Sequence, residues 1–99
     1  MSAALRQLLW YLLAGTRGGV NRARVLEALR RRPHNAHQLS DVLGLDYRTV
    51  RHHLDLLLRN GLITQPAGNA YAAPYFLGAI LEANWAVFEE IHRQIGEGK

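Results

Sequence analysis

Arg48, Arg51, His52, Asp55 and Arg59 lie between Tyr47 and Asn60 at helical spacing. At about 100° per residue they share one helical face, opposite an apolar stripe of Val50, Leu54, Leu57 and Leu58. Three guanidiniums and an imidazole turned outward are hydrogen-bond donors suited to a polyanion. Arginine fits guanine because its planar fork donates to O6 and N7 together. Side chains at the amino end of such a helix reach base edges. Tyr47, Arg48, Arg51 and His52 are therefore expected to read bases, with Thr49 and Arg59 on phosphates. The competing reading is a solvated face on which Arg51 and Asp55 form an exposed i,i+4 ion pair.

Other chemistries find less support. The chain has no cysteine, which excludes disulfides and thiolate metal sites. His34 and His37 lie three apart, but Pro33 and a helix boundary separate their geometry. His52 and His53 are adjacent, so on a helix they diverge by about 100° and cannot act jointly. His53 falls at the edge of the apolar stripe, where packing against a neighbouring helix and a local hydrogen bond are expected. No nucleophile–base pair and no carboxylate pair in an apolar setting stands out. Neither an enzyme nor a cofactor or metal site is expected.

The elements that must position the basic face follow from periodicity. Leu5, Leu8, Leu9, Leu12 and Leu13 predict a helix over residues 3–14, with Trp10 and Tyr11 on its other side. The apolar run Leu8–Ala14 is seven residues, and a bilayer needs about 20. Gly15–Gly19 reads as a flexible break that lacks the Lys-Ser/Thr ending of a phosphate loop. Asn21 is expected to cap a helix to about Arg32, with Ala23, Val25, Leu26 and Leu29 inward and Pro33 as its stop. Asn35 and Gln38 have capping-box spacing, and the free N–H groups that open the following helix suit a phosphate, with His37 beside them. Arg31 and Arg32 are further phosphate candidates, whereas Arg30 is expected to offset the helix dipole. Gly44 supplies the turn, Leu45 plugs the core and Asp46 caps the helix that carries the basic face. Gly61 ends it, and Leu62–Gln65, a Pro66–Asn69 turn and a return strand from Ala70 to Leu77 form a hairpin. Gly78–Ile95 reads as one long amphipathic helix.

Helix, helix-turn-helix, hairpin is the outline of a winged-helix domain: mainly α, with a small β-hairpin wing and additional N- and C-terminal helices. Leu43-Gly-Leu-Asp-Tyr-Arg-Thr-Val-Arg-His-His-Leu54, followed by Leu57-Leu-Arg-Asn-Gly-Leu-Ile63, resembles ArsR-type winged-helix transcription regulators over about residues 15–77. The segment Gly15–Gly19 is similar to the opening of small archaeal members. The resemblance implies a homodimer paired through the terminal helices. Two departures matter. The wing has no Lys or Arg, leaving Gln65, Asn69 and Tyr71 as its polar contacts. The cysteine motif of the family's metal sensors is absent, and Glu89 with His92 is too little to replace it, so metal sensing does not carry over.

Charge fits the same outline. The formal net charge is +4, with residues 1–76 basic and residues 77–99 acidic. The terminal helices look over-apolar for one small core, so Leu5, Leu9, Trp10, Leu12, Leu81, Trp85, Phe88 and Ile91 are expected at a two-fold interface. A pocket near Trp10, Trp85 and Phe88 would then suit an apolar effector. The expectation is one domain of 99 residues, divided into a helix over 3–14, a winged-helix core over 20–77 and a helix over 78–95. The expected function is that of a cytoplasmic, sequence-specific, homodimeric regulator of double-stranded DNA, and no membrane association is expected. A winged helix used as a protein-interaction scaffold is the alternative.

Overall fold

The computed structural model describes residues 3–68 and 72–97. The elements run α1 (Ala3–Leu13), α2 (Gly19–Arg31), α3 (Ala36–Leu43), α4 (Tyr47–Arg59), β1 (Ile63–Thr64), β2 (Phe76–Leu77), α5 (Ala79–Ala83) and α6 (Trp85–Glu97). The helical periodicities decide what is buried. Leu5, Leu9, Leu12 and Leu13 of α1, Val25, Leu26 and Leu29 of α2, and Val50, Leu54 and Leu57 of α4 all join one core.

Local chemistry sets the helix-turn-helix as expected. The Asn35 side chain accepts from the Gln38 backbone N–H at 2.8 Å, and the Gln38 side chain accepts from the Asn35 N–H at 2.8 Å. This reciprocal pair satisfies two donors at the start of α3. Gly44 turns the chain with φ 67°, and the Asp46 carboxylate accepts from the Thr49 N–H at 3.3 Å to open α4. Gly61, at φ 72°, closes α4. The hairpin pairs Ile63 with Leu77 and Thr64 with Phe76, antiparallel. An isolated bridge joins a further segment to the residue before β2. His34 donates its N–H to the Tyr75 carbonyl at 3.3 Å, and Tyr75 donates back to the His34 carbonyl at 2.8 Å. The segment between α2 and α3 is thus stitched to the root of the wing.

Four expectations need correction. Asn21 does not cap α2. The helix starts three residues earlier, behind Gly18, and the Asn21 side chain accepts from Arg24 instead. The strands are two residues each, shorter than the segments 62–65 and 70–77. Asn69, Ala70 and Tyr71 lie outside the described residues. The C-terminal segment is two helices, because Asn84 donates its side-chain amide to the Ile80 carbonyl at 2.8 Å and takes a non-helical backbone. A short polar side chain that bonds the preceding turn competes with helix continuation.

The fourth concerns the terminal helices. α1 and α6 pack against each other, and α1 packs on α2, within the single chain. Leu5, Leu9, Leu12, Leu81, Phe88 and Ile91 are buried there, so they cover this chain's own core and are not exposed for a second copy. Trp85 stacks on Phe88 with ring centroids 4.1 Å apart, and Arg30 lies 5.3 Å above it. Trp10 alone of the eight is exposed, at 47%, beside Tyr11 at 57%.

A charged group sits inside this core. Arg22 of α2 is 2% exposed. Its Nε donates to the Leu12 carbonyl at 2.8 Å and its Nη2 to the Arg17 carbonyl at 2.9 Å and the Thr16 hydroxyl. Its Nη1 lies 3.3 Å from Nδ1 of His53, in α4. Residues 14–18 are therefore a hydrogen-bonded corner wrapped around a guanidinium. The corner is tight. A Cβ at Gly19 would stand 2.1 Å from the Leu13 carbonyl oxygen, so only glycine lets α2 start against the end of α1. Gly19→Ala is expected to destabilise the chain by about 1–3 kcal/mol through overpacking. Urea unfolding checks this, with the midpoint falling at unchanged slope.

Candidate nucleic-acid interface

α2 positions the helix-turn-helix from behind. Its Ala23, Val25, Leu26 and Leu29 join the core that α3 and α4 share, and Arg24 Nη2 donates to the Leu43 carbonyl at the end of α3, at 2.8 Å. On the outer side of α4, Arg48, His52, Asp55 and Arg59 are exposed, and Thr49 is half-buried. The side chains of Arg48 and Arg59 make no hydrogen bond or ion pair among the described residues. The same holds for Arg31 and Arg32 at the end of α2. His37 and Gln38 are exposed on the first turn of α3.

Arg51 does not pair with Asp55. Its Nη1 donates to the Tyr47 hydroxyl one turn back, at 3.1 Å, and its guanidinium carbon lies 6.0 Å from the Tyr47 ring centre. The Tyr47 ring stacks on His37 at 4.4 Å. His37, Tyr47 and Arg51 thus form one row from the amino end of α3 to the middle of α4. The Tyr47 hydrogen bond, then the nearby Tyr75, raises the Arg51 pKa, so the guanidinium is held charged. Arg51 Nε is buried with no hydrogen-bond partner among the described residues. Tyr75 itself, buried at the wing root, is pushed above its ordinary value chiefly by burial.

Two carboxylates of the terminal helices are paired with arginines on other elements. Glu90 of α6 pairs with Arg6 of α1 at 3.2 Å, and Glu82 of α5 pairs with Arg30 at 2.8 Å. Such part-exposed pairs contribute roughly 0–1 kcal/mol each. Their clearer effect is to tie α6 to α1 and α5 to α2. His92 faces Glu27 of α2 at 3.5 Å rather than Glu89, and its ring meets Phe88. His34 is buried, with Nδ1 2.8 Å from the Arg32 carbonyl, and is not directed at His37. In the wing, Gln65 donates its side chain to the Ala73 carbonyl at 3.1 Å and braces the turn from inside.

Trp10 lines a groove of about 430 Å³ between α1 and α6, together with Arg6, Gln7, Tyr11, Gly15, Ile91 and Gln94. Trp85 and Phe88 are not part of it, contrary to the expected pocket. No described helix is long and apolar enough to cross a membrane.

The residue that pattern reading missed is Arg22. It lies three and four positions before Val25 and Leu26, on the buried stripe of α2, and a cation at a stripe position was the available signal. His53 was placed against a neighbouring helix, where it is found, but its hydrogen bond reaches α2 rather than its own helix. An arginine can only donate, so His53 Nδ1 must accept and the imidazole is neutral with its proton on Nε2. Burial first, then the charges of Arg22 and His52, depress the His53 pKa below its ordinary 6.5.

This architecture is the winged helix-turn-helix fold. A family model described as a helix-turn-helix domain matches residues 21–66, which span α2, the helix-turn-helix and the first wing strand. Among solved structures, the chain is similar to reduced HlyU from Vibrio cholerae N16961, at 22% identity and a TM-score of 0.65. That match covers 92% of this chain and 90% of the other. It is similar also to M. tuberculosis Rv0081, at 23% identity and a TM-score of 0.67, over 96% of this chain and 92% of that one. A comparison with curated proteins finds no match.

The His53 shift has a sign that can be tested. The unfolded chain takes up a proton on this histidine near pH 6.5, whereas the folded chain resists protonation until lower pH. Stability is therefore expected to be full above pH 6.5 and to fall as pH drops below it, levelling once the folded-state pKa is passed. Urea midpoints across that range test this, and His53→Asn, which keeps an acceptor that does not titrate, is expected to flatten that part of the slope.

Proposed function

We propose that the chain is a sequence-specific double-stranded DNA-binding transcription regulator that acts as a cytoplasmic homodimer, with α4 in the major groove. It is a binding protein, not an enzyme. The observation that carries this reading is the exposed face of α4. Arg48, His52 and Arg59 stand out from the second helix of a helix-turn-helix, while Glu82 and Glu90 are engaged by Arg30 and Arg6 on other elements. Arg48, Arg51, His52 and Tyr47 are the base-reading candidates, and Thr49, Arg59, His37, Gln38, Arg31 and Arg32 the phosphate ligands. Arg51 reaches a base from a fixed position, because Tyr47 holds one of its nitrogens.

The homodimer is proposed through the outer side of α1 and α6, around Trp10 and Tyr11. Large aromatics left exposed side by side favour a partner surface. A two-fold pair would read half-sites about one helical turn, or 34–36 Å, apart. A small-molecule effector in the same groove would compete with or reshape that contact.

Selection of bound duplexes from a random pool, then titration of the winner at several salt concentrations, tests the reading. An enriched inverted repeat bound well above random DNA supports it; only weak binding that vanishes with salt would leave the protein-interaction scaffold as the better account. On the selected duplex, Arg48→Ala or Arg51→Ala is expected to cost about 1–3 kcal/mol and relax one base preference. Arg59→Ala is expected to weaken all sequences alike and lower the salt slope by about 1. Trp10→Glu combined with Tyr11→Glu is expected to give a monomer in sedimentation and to lose affinity for two half-sites by about a hundredfold or more.

A further inference from the structure

The helix proposed to enter DNA is not held by apolar packing alone. We propose that Arg22 is a positioning residue for α4, acting through His53, and that it ties the setting of that helix to the end of α1. The inference rests on the reading of α4 as the DNA-contacting helix.

Three observations converge. The Arg22 guanidinium is buried yet has no carboxylate partner among the described residues; carbonyls, a hydroxyl and one imidazole receive its hydrogen bonds. A buried cation without a counterion is costly, and its donors fix it in place because each one left unpaired would add to that cost. His53 is the one partner outside α1 and the corner, and it sits one residue from His52 and two from Arg51 on α4. Third, Gly18 makes room for the contact: a Cβ there would stand 2.8 Å from His53 Cε1 and 3.1 Å from Arg22 Nη1.

The other end of the strut is the rim of the α1/α6 groove. The Thr16 hydroxyl that accepts from Arg22 also donates to the Tyr11 carbonyl at 3.2 Å. Tyr11 and Gly15 line the groove. A shift of the end of α1 therefore moves Leu12, Thr16 and Arg17 together, and the rigid guanidinium carries the shift to α4. The charged and titratable groups facing His53 are Arg22 from α2 and His52 on its own helix. Protonating His53 removes the acceptor and sets two cations together, which breaks the strut.

The test uses the full chain with His53→Leu, His53→Asn and Thr16→Val, each verified as folded by circular dichroism. Leucine removes the acceptor, asparagine keeps an oxygen near the Nδ1 position, and Thr16→Val deletes one anchor at the half-exposed rim. On the selected duplex, His53→Leu is expected to bind about three- to thirtyfold more weakly, with Thr16→Val shifted in the same direction and His53→Asn close to wild type. Lowering the pH should weaken wild type relative to His53→Asn. Amide hydrogen exchange without DNA gives a second readout, with α4 expected to open more readily in His53→Leu. Should His53→Leu fail to fold, Thr16→Val carries both readouts. Wild-type affinity together with wild-type exchange in the folded variants would overturn the proposal. A chain whose α4 exchange responds but which prefers no duplex would instead remove the DNA reading and leave the strut standing.

Discussion

The structure turns on the buried guanidinium of Arg22. One planar group receives the end of α1, the α1–α2 corner and the middle of α4. Because it donates in fixed directions and accepts nothing, it dictates the tautomer of His53 and the path of residues 14–18. Apolar burial alone is non-directional and would allow α4 to slide or rotate on α2 at modest cost. Directed hydrogen bonds to a buried cation do not. Arg24 repeats the device on a smaller scale by holding the Leu43 carbonyl at the helix-turn-helix.

Around this centre the charges separate by function. Glu82 and Glu90 of the terminal segment meet arginines of α2 and α1, while the cations of α4 have no carboxylate partner among the described residues. A modest net charge thus becomes a strongly uneven surface, which matters more for a polyanionic partner than the total does. Tyr47 adds order to that surface. Stacked on His37 and bonded to Arg51, it converts a flexible side chain into one with a defined position, lowering the ordering cost of contact.

The terminal helices change the picture of assembly. Their apolar stripes looked too broad for one chain, but bending at Asn84 lets α6 lay Phe88 and Ile91 onto the core. What these helices leave exposed is narrower: Trp10 and Tyr11 on α1, and Ile80 on α5. Breadth of an apolar face, read from periodicity, overstates the free surface when a break lets one segment use two directions.

The sequence by itself determined the local features: the capping box at Asn35 and Gln38, the turn at Gly44, the Asp46 cap and the inward stripe of α4. Each depends on residues within a few positions of one another, so spacing suffices. The outward Arg48, His52 and Arg59 were legible for the same reason. Only the tertiary structure decided that Arg22 is buried, that His53 accepts from it, that His34 pairs with Tyr75, and that the leucines of α1 serve their own core. The first three join residues 10, 31 and 41 positions apart, and the Arg6–Glu90 bond that accompanies the packing of α1 on α6 spans 84. Periodicity says which side of a helix turns inward. It does not say which atoms it will meet there.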